Sequence, residues 1–272
     1  MHVHVAANQR LSTEERQAFR ILREEFGTVV DDTLREQIAR RIRSGSIELR
    51  NADAIRRDLR THIQDFTEEF QIAARVGAED AARAGRATAQ RRLGIQIDTE
   101  RIPRQTLEEL DDWTTTLSQE IPETLEDELT AYLRGAHEEG LSVDDVAEQF
   151  QEEFVDGRLA DHKAEQWARD NTVAPSNAGS HSGYREADTV VAEEWVATGD
   201  GRTRDTHEEA HGQVVGVDTP FLVGGYEAQH PGDPRLPVEE STQCRCTLVP
   251  VLGSELTEGQ RRTLEAGGRF WR

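Results

Sequence analysis

The sequence predicts an α+β protein: a long, mainly α-helical N-terminal arm followed by a small C-terminal α+β domain with short strands. Apolar residues recur every three or four positions over most of residues 12–165, which is the spacing of amphipathic helices. After about residue 172 the apolar runs are short and are separated by turns rich in Gly and Pro. The predicted domains are the arm at 1–139, the α+β domain at 140–252 and a tail at 253–272.

Cap signals and apolar spacing locate the helices of the arm. Ser12 and Glu15 have the spacing of a capping box, and Ser142 with Asp145 gives a similar signal for a later helix. The predicted helices span 12–43, 51–93, 105–120, 123–138 and a stretch from Ser142 toward Trp167. Their predicted core positions include Phe19, Leu22, Phe26, Phe66, Phe70, Leu110, Trp113, Leu117, Leu125, Leu129 and Leu133.

The second half of the 51–93 helix combines small and basic residues. Small side chains from Ala73 to Gly85 allow another backbone to approach closely, which predicts helix–helix packing inside this domain. Four arginines accompany them, and they form either a solvated face or a surface for DNA or an acidic partner. These are Arg83, Arg86, Arg91 and Arg92.

The C-terminal domain is predicted to contain one helix and four strands. Pro175–Ser180 has the composition of a loop, and a helix is predicted at Ser182–Ala192. The predicted strands are Glu194–Thr198, Gln213–Val217, Phe221–Val223 and Thr247–Leu252. In the tail, Phe270 and Trp271 are either a docking peptide or a strap over the chain's own core.

The net charge is −21, from 53 acidic and 32 basic residues, and Lys163 is the only lysine. Many acids with almost no lysine favour a protein adapted to molar salt, because the Debye length falls to about 3 Å at 1 M and self-repulsion is screened. The alternative is an ordinary acidic protein.

No apolar run approaches the roughly 20 residues of a membrane span, and residues 1–5 do not resemble a signal peptide. The sequence therefore predicts a protein of the cytoplasm, or of a particle assembled there.

The charge is also unevenly distributed along the chain. Residues 1–104 carry 19 basic and 17 acidic side chains, a net of +2, whereas residues 105–272 carry 13 and 36, a net of −23. A near-neutral segment in so acidic a chain indicates a surface that is covered by a partner or that contacts something negative.

Potential metal ligands concentrate between Trp195 and Cys246. Cys244 and Cys246 are the only cysteines, and two thiolates with two histidines would complete a tetrahedral zinc site. His207 and His211 are spaced i, i+4, so both would project from one face of a helix, and His230 is the rival fourth ligand. Alternatively, the cysteines are small buried core residues, and Asp200, Arg204 and His207 form a hydrogen-bonded network.

A catalytic role is disfavoured by the motifs that the sequence lacks. A Cys/His pair could serve as nucleophile and base, and a Cys₂His metal site with an open position could activate water. The sequence contains, however, no Gly-rich phosphate loop, no His-Glu-x-x-His segment and no nucleophile elbow. A zinc-dependent hydrolase or nuclease is kept as the alternative to a structural role.

An ordered set of residues between 140 and 251 resembles the Mu F-like head morphogenesis family, the minor head proteins of tailed phages. The lead-in comprises Gly140-Leu141-Ser142, Trp167-Ala168-Arg169, Asn177 and Tyr184. The stronger part comprises Trp195, Asp200, Arg204, His207 and Gly212, then Pro231-Gly232-Asp233, then Cys244-Arg245-Cys246. The chain departs from the family at His211, where an acid is common, at Gln243, where Asn is common, and at Asp170-Asn171, where Thr-Glu is usual.

This resemblance implies a minor capsid protein near the portal vertex, which helps head assembly or enters with the DNA. The implied partners are the portal protein and/or the major capsid protein, with multiple copies in the virion. Residues 1–104 are the part expected to contact the portal or packaged DNA. The implied location is the virion, at the capsid interior or portal vertex, after assembly in the host cytoplasm. Together with the salt signature, the resemblance points to a virus of a haloarchaeon.

Overall fold

A computed structural model describes residues 11–30, 36–47, 52–152 and 163–272. The chain divides into two compact units that are discontinuous in sequence. Unit 1 combines Met1–Phe19, Gly77–Trp113 and Arg169–Arg272, and unit 2 combines Arg20–Val76 with Thr114–Ala168. These units are not the sequential domains 1–139, 140–252 and 253–272, whose limits stay a prediction.

The α+β class is confirmed, with long helices first and a small antiparallel sheet near the C-terminus. The helices of the first part are α1 (Thr13–Val29), α2 (Glu36–Arg43), α3 (Ala52–Leu93), α4 (Arg104–Glu138), α5 (Val143–Gln149) and α6 (Ala164–Arg185). The later helices are α7 (Asp205–Ala210), α8 (Val238–Ser241), a 3₁₀ turn (Gly253–Glu255) and α9 (Glu258–Glu265). The strands are β1 (Val190–Val196), β2 (Gln213–Gly216), β3 (Phe221–Val223), β4 (Tyr226–Ala228), β5 (Thr247–Leu252) and β6 (Phe270–Trp271). None of the described helices is long and apolar enough to cross a membrane.

The two predicted capping boxes are confirmed. Ser12 N–H donates to Glu15 Oε2 at 2.6 Å, and Glu15 N–H donates to Ser12 Oγ at 3.2 Å. At the start of α5, Ser142 and Asp145 make the same reciprocal pair. The predicted helix at 51–93 is also confirmed as α3. The predicted helix at 12–43 is represented by α1 and α2, and residues 31–35 lie outside the described part of the chain.

Unit 2 is built around an aromatic core. Phe26 stacks on Phe70 with ring centroids 4.5 Å apart, and Trp167 meets Phe70 edge-on at 5.3 Å. Phe66 packs against the same pair. These rings come from α1, α3 and α6, so the apolar spacing of three separate helices converges on one cluster.

The prediction of two helices at 105–120 and 123–138 is wrong, because α4 is one helix from Arg104 to Glu138. Its leucines explain the continuity. Leu117, Leu125 and Leu129 are all buried, so one apolar spacing runs through the segment that contains Pro122. Burial of that face outweighs the local preference of proline for a helix end.

In unit 1, α3 and α6 cross in close contact through glycines. A Cβ on Gly85 would lie 2.0 Å from Ser176 O, and a Cβ on Gly179 would lie 2.0 Å from Ala82 O. The backbones therefore touch, and the small residues at this end of α3 serve helix packing as predicted.

The four arginines at the C-terminal end of α3 each make ion pairs or hydrogen bonds within unit 1. Arg86 is almost fully buried, and its guanidinium bonds Ser182, the Asp98 carbonyl and both carboxylate oxygens of Glu186. Arg83 pairs with Glu79 and Asp80, Arg91 pairs with Glu14, and Arg92 bonds Tyr184 Oη.

The predicted loop at Pro175–Ser180 is wrong, and the predicted helix at Ser182–Ala192 is right only as far as Arg185. Helix α6 runs through Pro175 to Arg185, and Val190–Val196 is strand β1. The helix persists because this stretch packs against α3, so tertiary contacts outweigh local turn preference. The strand forms because Val190 and Val191 are β-branched and β1 pairs on both sides.

The sheet has the order β5-β1-β2-β6, and every neighbouring pair is antiparallel. Trp195 lies opposite Leu248, and Glu193 lies opposite Val215. The predicted strands at 221–223 and 247–252 are confirmed with their limits, and β2 ends one residue before the predicted Val217. Strand β4, which pairs with β3, was not predicted.

The C-terminal residues form an edge strand of the chain's own sheet. Strand β6 pairs with β2, with Phe270 opposite Val214. Trp271 Nε1–H donates to the Glu209 carbonyl at 3.1 Å, and Arg272 N–H donates to the Gly212 carbonyl at 2.9 Å. Phe270 packs against the buried cluster that contains Val214 and Val251, whereas Trp271 is 54% exposed, so the fold supports the strap alternative for Phe270 only.

Candidate metal centre

Three of the predicted ligands meet where α7 packs beside the start of β5. His207 lies in α7, and Cys244 and Cys246 lie directly before that strand. Arg204 precedes α7 and donates from Nη2 to the Thr242 carbonyl at 2.8 Å, which ties the helix to the cysteine segment. Gly212 follows α7 with a φ of 76°, a conformation that favours glycine.

The geometry of these three residues fits a metal ion. Their ligand atoms all lie within 4.8 Å of one another. His207 Nδ1 is 3.3 Å from Cys246 Sγ and 3.8 Å from Cys244 Sγ. Zn–S and Zn–N bonds of about 2.3 and 2.0 Å set the N···S edge of a tetrahedron at about 3.5 Å. The observed separations lie on either side of that value, so Cys244, Cys246 and His207 can hold one ion.

Hydrogen bonds and burial shift the pKa values of the two cysteines at this site in opposite directions. The hydrogen bond from Cys246 is the main cause that lowers the pKa of Cys244 well below its ordinary value, and His207 adds to the effect. Hydrogen bonding to Cys244 and burial raise the pKa of Cys246. Burial alone would lower the pKa of His207, but the hydrogen bond and charge of Cys244 raise it. The pocket thus favours a thiolate at Cys244, the form that binds metal.

The far side of the His207 ring faces a carboxylate. Nε2 lies 3.0 Å from Glu240 Oε2, although the two atoms are not aligned for a hydrogen bond. Thr206 Oγ1–H donates to the same oxygen at 2.9 Å and holds it in place. A carboxylate that accepts the second N–H of a ligating histidine fixes the ring and increases its basicity, and Glu240 lies at the right distance for that role.

His211 is not brought to the other three predicted ligands. Helix α7 ends at Ala210, so the i, i+4 relation between His207 and His211 does not apply. His211 is exposed, and its Nδ1 accepts from Ala197 N–H at 3.3 Å. The rival ligand His230 is buried beside Glu109 and His181 instead. Among the described residues, no fourth His, Cys, Asp or Glu joins the group.

The remaining predicted site residues frame this centre. Trp195 is fully buried and meets the His207 ring edge-on, with centroids 5.7 Å apart. Asp200 and Arg245 form a two-pronged ion pair, and Arg245 Nη2 donates to Asp200 Oδ1 at 2.6 Å. This pairing with Arg245 is the main cause that lowers the pKa of Asp200. It ties the turn that leads into α7 to the cysteine segment.

Pro231, Gly232 and Asp233 form a buried turn. Asp233 accepts from Gln229 N–H at 2.6 Å and from Arg235 N–H at 2.9 Å, which fixes the backbone on both sides. Gly232 has a φ of 78°, and a Cβ there would lie 2.5 Å from Ala174 Cβ. The Pro231 carbonyl accepts from Asn177 Nδ2 at 3.2 Å and so joins the turn to α6.

Residues 127–249 match the family described as Phage Mu protein F like protein. This stretch contains all three residues of the metal centre, the sheet strands β1 and β2, and the first half of β5. The match supports the Mu F-like family for this part of the chain.

Two curated proteins are similar to the chain. The "Uncharacterized protein YqbB" of Bacillus subtilis (strain 168) is 24% identical over 196 residues, which are 71% of this chain and 63% of that protein. The "NAD(+)--arginine ADP-ribosyltransferase EFV" of Enterococcus faecalis (strain ATCC 700802 / V583) is 33% identical over 90 residues, which are 31% of this chain and 18% of that protein. The chain therefore spans less than two thirds of the length of either relative. No solved structure matches it.

Gln243, one of the departures from the Mu F-like pattern, has an unusual backbone conformation. Its φ is 51°, a conformation that asparagine tolerates better than glutamine does. Buried Asp170 accepts from Gln243 N–H at 2.7 Å and holds this strained residue, and burial raises the pKa of Asp170 to about 7. Asp170 was not predicted as a site residue, because nothing local relates it to a position 73 residues later.

A second buried polar cluster in unit 1 was also not predicted. His181 Nδ1 lies 2.8 Å from Glu193 Oε2, and the His181 and His230 rings are 6.1 Å apart. His230 Nε2 lies 3.8 Å from Glu109 Oε2, too far for a hydrogen bond. Burial raises the pKa of Glu193. Burial would lower the pKa of His230, but Glu109 and Asp233 raise it.

This cluster predicts a window of pH in which unit 1 is most stable. Since the folded pKa of His230 is raised, its contribution is complete below its ordinary pKa of 6.5 and is lost as pH rises through the folded value. The pKa values of Glu109 and Asp233 are lowered despite burial, through His230 and Arg235, so their contributions are lost only in acid. We expect thermal unfolding midpoints to fall above pH 6.5 in the wild type and to fall less in His230→Gln. If the unfolding midpoints of the wild type and His230→Gln fell equally with pH, His230 would not be the cause of the pH dependence.

Proposed function

We propose that the chain is a structural minor capsid protein of a tailed virus that acts in head morphogenesis. The observation that carries the proposal is the family match over residues 127–249, which contains strands β1 and β2 and the Cys/His centre. The proposed location is the virion, at the capsid interior or portal vertex, after assembly in the host cytoplasm.

The centre is proposed to bind zinc as a structural ion. The side chains of His207, Cys244 and Cys246 are each at most 3% exposed, which is the burial of a core element rather than of a substrate site. A bound zinc ion would cross-link α7 to the start of β5. Such a cross-link suits a chain whose sequence is only 35% hydrophobic, because little apolar core is available to stabilise it.

The alternative function is a zinc-dependent hydrolase or nuclease. It is favoured by one observation, namely that the described residues offer three ligands, since catalytic zinc sites keep one position for water. The burial of all three ligands disfavours it. The ADP-ribosyltransferase relative gives it no support, because the match covers 18% of that protein.

The proposed partners are the portal protein and/or the major capsid protein, with several copies of this chain in each virion. Residues 1–104, with a net charge of +2, are proposed to make the portal contact or to touch packaged DNA. Arg83, Arg86, Arg91 and Arg92, the four arginines considered for DNA contact, make ion pairs or hydrogen bonds within unit 1, so the portal contact is the better supported of the two. A virus of a haloarchaeon stays the proposed source, on the strength of the single lysine and the net charge of −21.

Genetic complementation tests this proposal. A virus or prophage that lacks the gene should form few infectious particles, and the full-length chain should restore them. A chain without residues 1–104 should fail to enter heads. Because α3 contributes residues from Gly77 to unit 1, a milder variant is needed to separate loss of binding from loss of folding. A variant with Arg56→Gln and Arg60→Gln separates the two, because both arginines of α3 are exposed and their loss should leave the chain folded. Normal particle yield without the gene would overturn the proposal.

A further inference from the structure

Unit 1 contains a cavity of about 290 Å³ whose lining includes Cys246 of the metal centre, and the proposed function assigns no ligand to this cavity. Residues near the start of α1, the end of α3, the middle of α6, the turn after β1 and the start of β5 line it. Its charged lining consists of Arg92, Arg169, Arg202, Arg245, Glu15 and Asp200. Four cations against two anions give this cavity a positive balance in a chain whose net charge is −21.

Two of the charged groups are neutralised by each other, and a third has its own partners. Arg245 and Asp200 form the two-pronged ion pair already described. Glu15 accepts from Ser12 N–H at the start of α1 and from Ser176 Oγ. The positive balance therefore comes from the arginines outside the pair with Asp200.

Arg92 is the arginine whose charge is least compensated. Its Nη1 donates to Tyr184 Oη at 3.0 Å and to the Leu248 carbonyl at 2.5 Å, and both acceptors are neutral. Burial raises the pKa of Tyr184, which keeps its hydroxyl protonated. Within the described part of the chain, Arg92 makes no ion pair, and its Nε and Nη2 groups make no hydrogen bond. A guanidinium that is fixed in place and retains free donors is suited to grip a carboxylate or phosphate.

Arg202 adds a second available cation at the rim. Its side chain is 80% exposed, and its Nη2 lies 3.9 Å from Asp200, whose carboxylate is already taken by Arg245. Arg202 N–H donates to Asp200 Oδ1 at 3.0 Å, so the backbone is fixed while the side chain extends into solvent. One fixed and one adjustable arginine thus belong to the same cavity.

We propose that this cavity binds a carboxylate side chain on an acidic peptide segment of a partner protein. The volume accommodates one or two side chains, and Leu11 and Val173 offer apolar contact beside the arginines. Duplex DNA is disfavoured because it cannot enter a cavity of this size and because residues 105–272 carry a net charge of −23. The inference follows from the cavity itself and does not depend on the role in head assembly.

Fluorescence anisotropy with the full-length chain tests this inference. The probes are a fluorescein-labelled peptide Ser-Glu-Leu-Glu-Ser, its Ser-Gln-Leu-Gln-Ser counterpart and a single-stranded thymidine decamer. We expect the glutamate peptide to bind and Arg92→Gln to weaken it about tenfold, as expected for loss of charge-assisted hydrogen bonds. Arg104→Gln is the matched control, because Arg104 is also in unit 1, is 92% exposed and pairs only with Glu108 in the described structure. This control should bind within twofold of the wild type.

Arg202→Gln keeps the test decisive if Arg92→Gln fails to fold. Its exposed side chain contributes little to packing, so its melting temperature should be unchanged while peptide binding weakens about threefold. Equal binding of the glutamate and glutamine peptides would overturn the proposal, and so would equal binding by the wild type and Arg202→Gln. Binding of the decamer alone, lost in the same variants, would also overturn it and assign the cavity to nucleic acid.

Discussion

Removing zinc should unfold the C-terminal part of unit 1. We expect the purified full-length chain to contain about one equivalent of zinc and a strong chelator to lower its unfolding midpoint markedly. A structural zinc site can couple on the order of 10 kcal/mol of binding free energy to folding. Cys244→Ser and His207→Ala should each lose the metal, because each removes one of three buried ligands. Elemental analysis and thermal unfolding with and without chelator measure both effects.

His211→Ala is the matched control for this prediction. The sequence alone predicts that His211 is a ligand, whereas the structure places it outside the centre with its Nδ1 on Ala197 N–H. The variant should therefore retain a full equivalent of zinc and the same response to chelator. Less than a tenth of an equivalent of zinc in the wild type would contradict the zinc site. Cys244 and Cys246 would then be small buried residues of the core. Loss of zinc in His211→Ala would show that the fourth position is filled by that residue.

Replacing the crossing glycines should be the most damaging small change in unit 1. Gly179→Ala would place a methyl carbon 2.0 Å from the Ala82 carbonyl oxygen, and Gly85→Ala would do the same at Ser176. Real Cβ atoms do not approach backbone oxygens so closely, so α3 and α6 must move apart. Overpacking of this kind costs about 3 kcal/mol or more. Chemical denaturation of the two variants measures the loss.

The control is a helical glycine without such a contact. A Cβ on Gly135 in α4 would meet nothing within 4 Å. Gly135→Ala should therefore stabilise the chain by about 0.5–1 kcal/mol, since alanine is the better helix former. If Gly179→Ala were as stable as Gly135→Ala, the close crossing of the two helices would be wrong.

Features with local causes could be predicted from the sequence. The capping boxes at Ser12 and Ser142 depend on residues three positions apart, so the spacing alone identifies them. The strands at 221–223 and 247–252 follow from short apolar runs between turn residues. The small residues that end at Gly85 predict a close contact, although the sequence does not name its partner helix.

Features with distant causes could not be predicted. Pro175 and Ser176 have the local preferences of a loop, and they become helical because α6 packs on α3. The i, i+4 spacing of His207 and His211 indicates one helical face, but the helix ends between them. Arg245 pairs with Asp200 from 45 residues away, and a single sequence holds no signal for that pairing.

Quantitative mass spectrometry of purified particles tests the central claim, that this is a structural head protein, most directly. The account predicts that the chain is present in intact virions, in more than one copy but far fewer copies than the major capsid protein, and that it is also present in DNA-free heads. Absence of the chain from purified heads, with abundant protein left in the soluble host fraction, would contradict a structural role.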